Sequence, residues 1–294
     1  MTGQTNPTSV AEYKHRSVWQ VFWFRLRHNS RAMIALAFII FEILAAVFAP
    51  WIAPYDPDKS DYDALWSLPT KEHWMGTDDL GRDVLSRLIY GGRISIAVGI
   101  LAQMTQVLIG LPLGAIAGLV GGWVDYTFMR FIDVLSSIPN MLLYLLLVLV
   151  LPRGFISIII ALSVTGWIGI ARLVRGQVLS LKATDYVRAA RGMGANTQHI
   201  ILSHLVRNTL SPVLVSITLG IPRSMIAEAG LSFLGLGITP PMSSWGQMIG
   251  LYQAHIQTLW HLTVFPAIIL SFTMLAWFTL GDGLRDAFDP SIQV

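Results

Sequence analysis

The stretch ISIAVGILAQMTQVLIGLPLGAIAGL, residues 94–119, holds no Asp, Glu, Lys or Arg in 26 positions. About 20 apolar residues let a helix cross the hydrocarbon core of a bilayer. No water is available there to satisfy an exposed backbone, so a spanning segment of this kind is a helix. Within it Gly110, Gly114 and Gly118 recur at every fourth position. Such a small-xxx-small stripe lets a neighbouring helix approach closely. Packing inside a bundle accounts for the glycines, and a contact beside a translocation path is the functional alternative.

Outward from this segment, five more apolar stretches qualify as spans, at 32–52, 126–151, 155–174, 210–229 and 259–281. Pro139 is expected to start or kink the third span, and Pro212 suits the first turn of the fifth behind Ser211. The whole chain of 294 residues is 54% hydrophobic and 13% charged, with a mean hydropathy of +0.60. Soluble domains carry roughly 25% charged residues, so too few charges exist here to coat a water-facing surface. The fold class expected is an all-α membrane protein of six spans.

Charge asymmetry orients the bundle. Residues 1–31 carry Lys14, Arg16, Arg25, Arg27 and Arg31 against Glu12, a net +4. Residues 53–90 carry four basic and eight acidic side chains, a net −4, and residues 172–207 carry six basic against Asp185, a net +5. Basic loops stay in the cytoplasm, which puts both termini and the 172–207 loop inside and the 53–90 loop outside. The first apolar stretch follows some thirty polar and basic residues, and Ala49-Pro50 is a poor cleavage site, so the first span is expected to remain as an anchor. The organisation is then a cytoplasmic amphipathic segment at 1–31, an anchor helix at 32–52 and an extracytoplasmic loop at 53–93. A five-helix core at 94–281, with a cytoplasmic loop at 175–208, and a tail at 282–294 complete it.

Two pieces are expected to lie on the membrane rather than cross it. Val18, Trp19, Phe22, Trp23 and Leu26 fall within an arc of about 140° on a helical wheel, an interfacial pattern. A second interfacial helix is expected behind Thr77 as its cap, with Asp78 and Asp79 in the first turn and Val84, Leu85, Leu88 and Ile89 on its apolar side. Trp245 and Trp260 fit an interfacial belt.

In the cytoplasmic loop Thr184 is a plausible cap. Tyr186, Ala189, Ala190 and Met193 share one face of the helix that follows, and Arg188 and Arg191 share the other. Gly192 and Gly194 end it. Alanines admit a close partner and guanidinium groups pair with its carboxylates, so this face is suited to docking. A solvated turn whose arginines enforce topology or touch anionic lipid is the alternative.

The stretch Arg188-Ala189-Ala190, three residues, then Gly194, resembles the Glu-Ala-Ala-x-x-x-Gly loop of ABC importer permeases. Arg188 stands where that pattern has Glu, and Leu205-Val206-Arg207-Asn208 stands where Ile-Leu-Pro-Asn is usual. Three other blocks resemble the dipeptide/oligopeptide/nickel class of these permeases. They are His73 through Arg87, Leu231 through Gly237 with Pro240-Pro241 and Ser244-Trp245-Gly246, and Gly281 through Asp286 with Asp289-Pro290. Together they cover about residues 16–290 and point to the C-type permease subunit.

The resemblance implies a type I importer permease fold whose loop forms a coupling helix, with Tyr186, Arg188, Ala189, Ala190, Arg191 and Gly194 as the ATPase-contacting residues. It further implies a homologous B-type permease, two ABC ATPase subunits, an extracytoplasmic substrate-binding protein and a bacterial or archaeal cytoplasmic membrane. Cargoes of the class are dipeptides, oligopeptides, glutathione and nickel, with peptides the leading expectation here. ATP and Mg²⁺ would sit on the partners, and this chain would hold no cofactor and catalyse nothing.

Ionisable residues inside a bilayer are functional suspects. Glu228 and, one turn on, Ser232 are candidates for the translocation path or an outer vestibule. Glu42 is expected to snorkel or meet a partner, and Arg130 and Asp133 to pair. Residues 230–237 read as an irregular loop, since no strand precedes them as a phosphate loop would need.

A membrane enzyme finds little support. All four lysines (14, 59, 71 and 182) lack a preceding glycine, which excludes a P-loop. No H-E-x-x-H or G-x-S-x-G occurs, and no metal site is expected. Without Cys, thiolate metal sites and cysteine nucleophiles are excluded. A gradient-driven secondary transporter is the other rival; it would need no docking loop, and no inverted repeat with broken helices in both halves is evident.

Overall fold

A computed structural model describes residues 18–185, Gly192, Gly194 and 206–288. Among them no strand forms, and a single isolated bridge joins Thr77 to Asp83. The helices are α1 (Val18–His28), α2 (Ser30–Val47), α3 (Ala49–Ile52), α4 (Val84–Val120), α5 (Gly122–Ser136), α6 (Asn140–Val150), α7 (Phe155–Lys182), α8 (Val206–Phe233), α9 (Trp245–Tyr252) and α10 (Trp260–Phe288). Five are long and apolar enough to cross a membrane, and α5 with α6, bent by 80° at their break, pass the same test only as a pair. The stretch expected as the third span is therefore two helices, not one. Pro139 sits at the break as the residue capping α6, because a proline disfavours helical backbone in the residue before it.

Several boundaries differ from expectation, each for a local reason. The residues expected to form a second interfacial helix are the first turns of α4, a single 37-residue helix. Its cap is Asp83, not Thr77: Asp83 Oδ2 accepts from the Ser86 backbone N–H at 2.8 Å and from Ser86 Oγ at 2.7 Å. The first span breaks at Phe48, where Pro50 enters the short α3. The helix expected to end near Arg175 continues to Lys182, whose Nζ donates to the Gly118 and Leu119 carbonyls. Pro212 lies inside α8, not in its first turn, and the apolar part of that helix is Ser211–Phe233. α8 also absorbs residues 230–233, so irregular chain begins only at Leu234.

α4 and α7 form the central pair. Cβ atoms built on Gly110 and Gly118 would come within 2.6 Å of the Trp167 carbonyl oxygen and 2.7 Å of Val178 Cγ1, and one on Gly114 would strike the Ala171 backbone. The glycine stripe thus sets how closely the two helices approach. α10 packs against α2 and α8, and α9 packs against both α8 and α10. The largest core cluster joins all of these through Ala46, Ile96, Met225, Trp245, Met248 and Leu262. Trp245 is buried core rather than belt: Gly91 and Gly92 leave room for its ring, and its Nε1 donates to the Leu88 carbonyl at 2.8 Å. Trp260 is exposed. α1 exposes Trp19 and Trp23 while Phe22 stacks on Phe288, which ties the amphipathic helix to the end of α10.

Candidate functional site

The segment Tyr55–Asp83 is a polar cap folded on carboxylates. Asp78 accepts from the Leu80 and Arg82 backbone N–H groups, each at 2.9 Å, and from Arg82 Nε at 2.7 Å. Tyr252 of α9 donates to Asp79 at 2.7 Å. Burial raises the Tyr252 pKa, and the neighbouring carboxylates Asp78 and Asp79 push it the same way. His73 Nδ1 meets Asp83 Oδ1 at 2.9 Å. Gly81, at φ +74°, lies where a Cβ would run into the Asp61 backbone, so this turn admits only glycine. The cap therefore joins the start of α4 to the end of α9.

Beneath it lies Glu228. Its Oε1 accepts from Ser232 Oγ and Ser244 Oγ, each at 2.7 Å, and the residue is 1% exposed. Glu228 and Ser232 are both buried, and Glu228 ties α8 to the start of α9 through Ser244. Glu42 likewise does not snorkel: it is buried and accepts from Thr273 Oγ1 of α10 at 2.5 Å. Arg130 and Asp133 approach to 3.8 Å, but the shorter partner of Asp133 is Arg172 of α7, at 3.1 Å.

A cavity of about 490 Å³ lies between α4, the α5–α6 break, α7 and α8. Gln103 and Gln106 of α4 enter it as buried amides. Each lies over a glycine: a Cβ on Gly220 would strike the Gln103 amide, and one on Gly166 the Gln106 amide. Gln106 Nε2 also donates to the Leu162 carbonyl at 3.1 Å. Asn140, Thr165, Ser216 and Ser224 add further polar groups, and Arg223 of α8 adds a charge. The size fits the roughly 300–1,000 Å³ of small-molecule sites, and the polarity is far from that of a lipid-facing groove. Among the described residues no cluster fit to hold a metal occurs.

Sequence reasoning passed over this lining. The signal was present: Gln103 and Gln106, three apart on one helical face, and Arg223 at the middle of an apolar segment. Of the docking residues, Tyr186, Arg188, Ala189, Ala190 and Arg191 lie outside the described residues. Gly194 is described, with φ +87°, and Gly192 is helical. Thr184 Oγ1 donates back to the Leu181 carbonyl at 2.6 Å, at the end of α7.

A bundle of five spans and a bent helix pair, hollowed around polar side chains, is the architecture of a membrane permease. The chain belongs to the family of binding-protein-dependent transport system inner membrane components, whose profile matches residues 110–294. The N-terminal membrane domain of oligopeptide transport permease C matches residues 17–69. The oligopeptide transport system permease protein OppC of Bacillus subtilis is 44% identical over 95% of this chain and 92% of its own. The dipeptide permease DppC of the same organism is 43% identical over 94% and 87%. The glutathione permease GsiD of Escherichia coli O157:H7 is 44% identical over 95% and 92%. Among solved structures, the methionine ABC transporter MetNI in an inward-facing conformation matches with a TM-score of 0.56 at 19% identity, over 68% of this chain and 95% of that one. The fold is that of the type I ABC importer permeases, and the chain is a multi-pass inner-membrane protein.

Proposed function

We propose that this chain is the permease subunit of an ATP-driven importer that moves peptides across the cytoplasmic membrane. The polar cavity between α4, α6, α7 and α8 carries this reading, because it offers hydrogen-bonding partners to a backbone that lipid would leave unsatisfied. Relatives named for oligopeptides, dipeptides and glutathione support the same cargo class, glutathione being itself a small peptide. The chain pairs with a homologous B-type permease to close the path, receives cargo from an extracytoplasmic binding protein, and keeps both termini in the cytoplasm. Two partner ATPases, which hold ATP and Mg²⁺, dock on the 184–208 loop through Tyr186, Arg188, Ala189, Ala190, Arg191 and Gly194. ATP closes the ATPase dimer, and the docked loops carry the bundle between inward- and outward-open states.

The test is co-purification of the detergent-solubilised complex with an ATPase assay, for wild type and a variant with Ala189, Ala190 and Gly194 made bulky. Wild type should retain the ATPase subunits and the variant lose them. A variant that keeps a full complex moves the docking site elsewhere. A wild type that carries no ATPase ends the importer reading in favour of gradient-driven transport.

A further inference from the structure

The cavity contains one cation that nothing in the described chain neutralises. Among the described residues two arginines line it, Arg172 and Arg223, and no carboxylate does. Arg172 is bound to Asp133, at 3.1 Å, and to Ser136 Oγ, also at 3.1 Å. Arg223 is exposed along the cavity and, among the described residues, takes part in no ion pair or hydrogen bond. It stands at the middle of the apolar segment Ser211–Phe233, too deep for its side chain to reach either membrane surface easily. An arginine at that depth is costly and is retained where something pairs with it.

The surroundings narrow what that something is. One turn from Arg223, Ala227 also faces the cavity, and Ser224 beside it is buried. Across the space, Thr165 is buried with a hydroxyl that has no partner among the described residues. The amides of Gln103 and Gln106 offer both donors and acceptors. One fixed positive charge among uncharged hydrogen-bonding groups is the complement of a molecule with one terminal carboxylate and a run of amides.

We infer that Arg223 is the specificity-determining residue of the path and pairs with the C-terminal carboxylate of the peptide in transit. This deepens the peptide-import reading and rests on it. A planar guanidinium meets a carboxylate with two parallel hydrogen bonds, which a C-terminal amide cannot match. Translocation also requires release, and a single charged contact is weak enough to break when the bundle changes state.

The experiment uses the complete transporter, with its binding protein, in proteoliposomes. ATP-dependent uptake of labelled dialanine to pentaalanine is measured with free and with amidated C termini, for wild type, Arg223→Gln and Arg223→Lys. Any preference of the binding protein is common to all three and cancels when the acid-to-amide ratio is compared between variants. Arg223→Gln should lower that ratio by about tenfold or more, the effect of losing a charge-assisted pair. Arg223→Lys, which keeps the charge but loses the planar fork, should lower the ratio by less, and serves as the readout if the glutamine variant fails to assemble, since a lysine ratio equal to that of wild type refutes the two-bond pairing. If Arg223→Gln slows acid and amide equally, Arg223 serves the structure or a partner subunit's acid and the inference is overturned while peptide import stands. If wild type takes up neither form, both fall together.

Discussion

Glu228 is nearly fully buried, and its two shortest contacts are the hydroxyls of Ser232 and Ser244. A buried carboxylate is tolerated only when hydrogen bonds replace its water. Here the replacement also joins the fifth span to α9, because Ser244 caps that helix and accepts from the Gln247 N–H at 3.0 Å. Changing Glu228 to Ala should leave two buried hydroxyls unmet, at about 1–3 kcal/mol each. A thermal-shift measurement on the purified complex should show a clear drop for Glu228→Ala and a small one for Glu228→Gln, which retains an acceptor. Equal drops would mean that the charge, not the hydrogen bonds, matters. In the sequence Glu228 stood out as an ionisable residue, but its role did not. Ser244 lies 16 positions away, across a loop, and no periodicity connects the two.

The helices themselves were legible because lipid imposes one requirement on all of them, an unbroken apolar run. Their ends were less so. Several polar residues before α4 can each act as a cap, and Asp83 prevails because Asp78 and Asp79 are held by Arg82 and by Tyr252, 173 or more residues later. The close approach of α4 to α7 was legible in the spacing of Gly110, Gly114 and Gly118, though not which helix would meet them. Gly114→Leu should force the pair apart at its tightest point, against the Ala171 backbone. Overpacking of this kind costs typically 1–3 kcal/mol. Lower yield and a lower melting temperature of the complex are expected, whereas Gly176→Leu, which meets nothing within 4 Å, should be neutral. A tolerated Gly114→Leu would mean that the two helices are not held at this distance in the membrane.

At the scale of the molecule, the polar cavity was the part least visible beforehand. Gln103, Thr165 and Arg223 come from three helices, and only packing brings them to one space. Sidedness, by contrast, is proposed from charge alone, and the absence of cysteine makes it easy to check. Asp63→Cys, in the exposed acidic segment, should react with an impermeant maleimide on intact cells. Arg285→Cys, near the end of α10, should react only after the membrane is opened. The reverse pattern would invert the whole assignment.

The polar cap has a consequence in time. Chains are made from the N-terminus, and Asp78 and Asp79 leave the ribosome long before Tyr252. At about 5–20 residues per second the gap is roughly 10–35 s. Through that interval the acidic turn waits without the phenol that completes it, so the cap can close only once α8 has been made, and before α10 is complete. A chain truncated before α9 never reaches closure. Its acidic turn keeps Asp78 and Asp79 without the Tyr252 hydroxyl, so closure of the cap records that synthesis has passed α9.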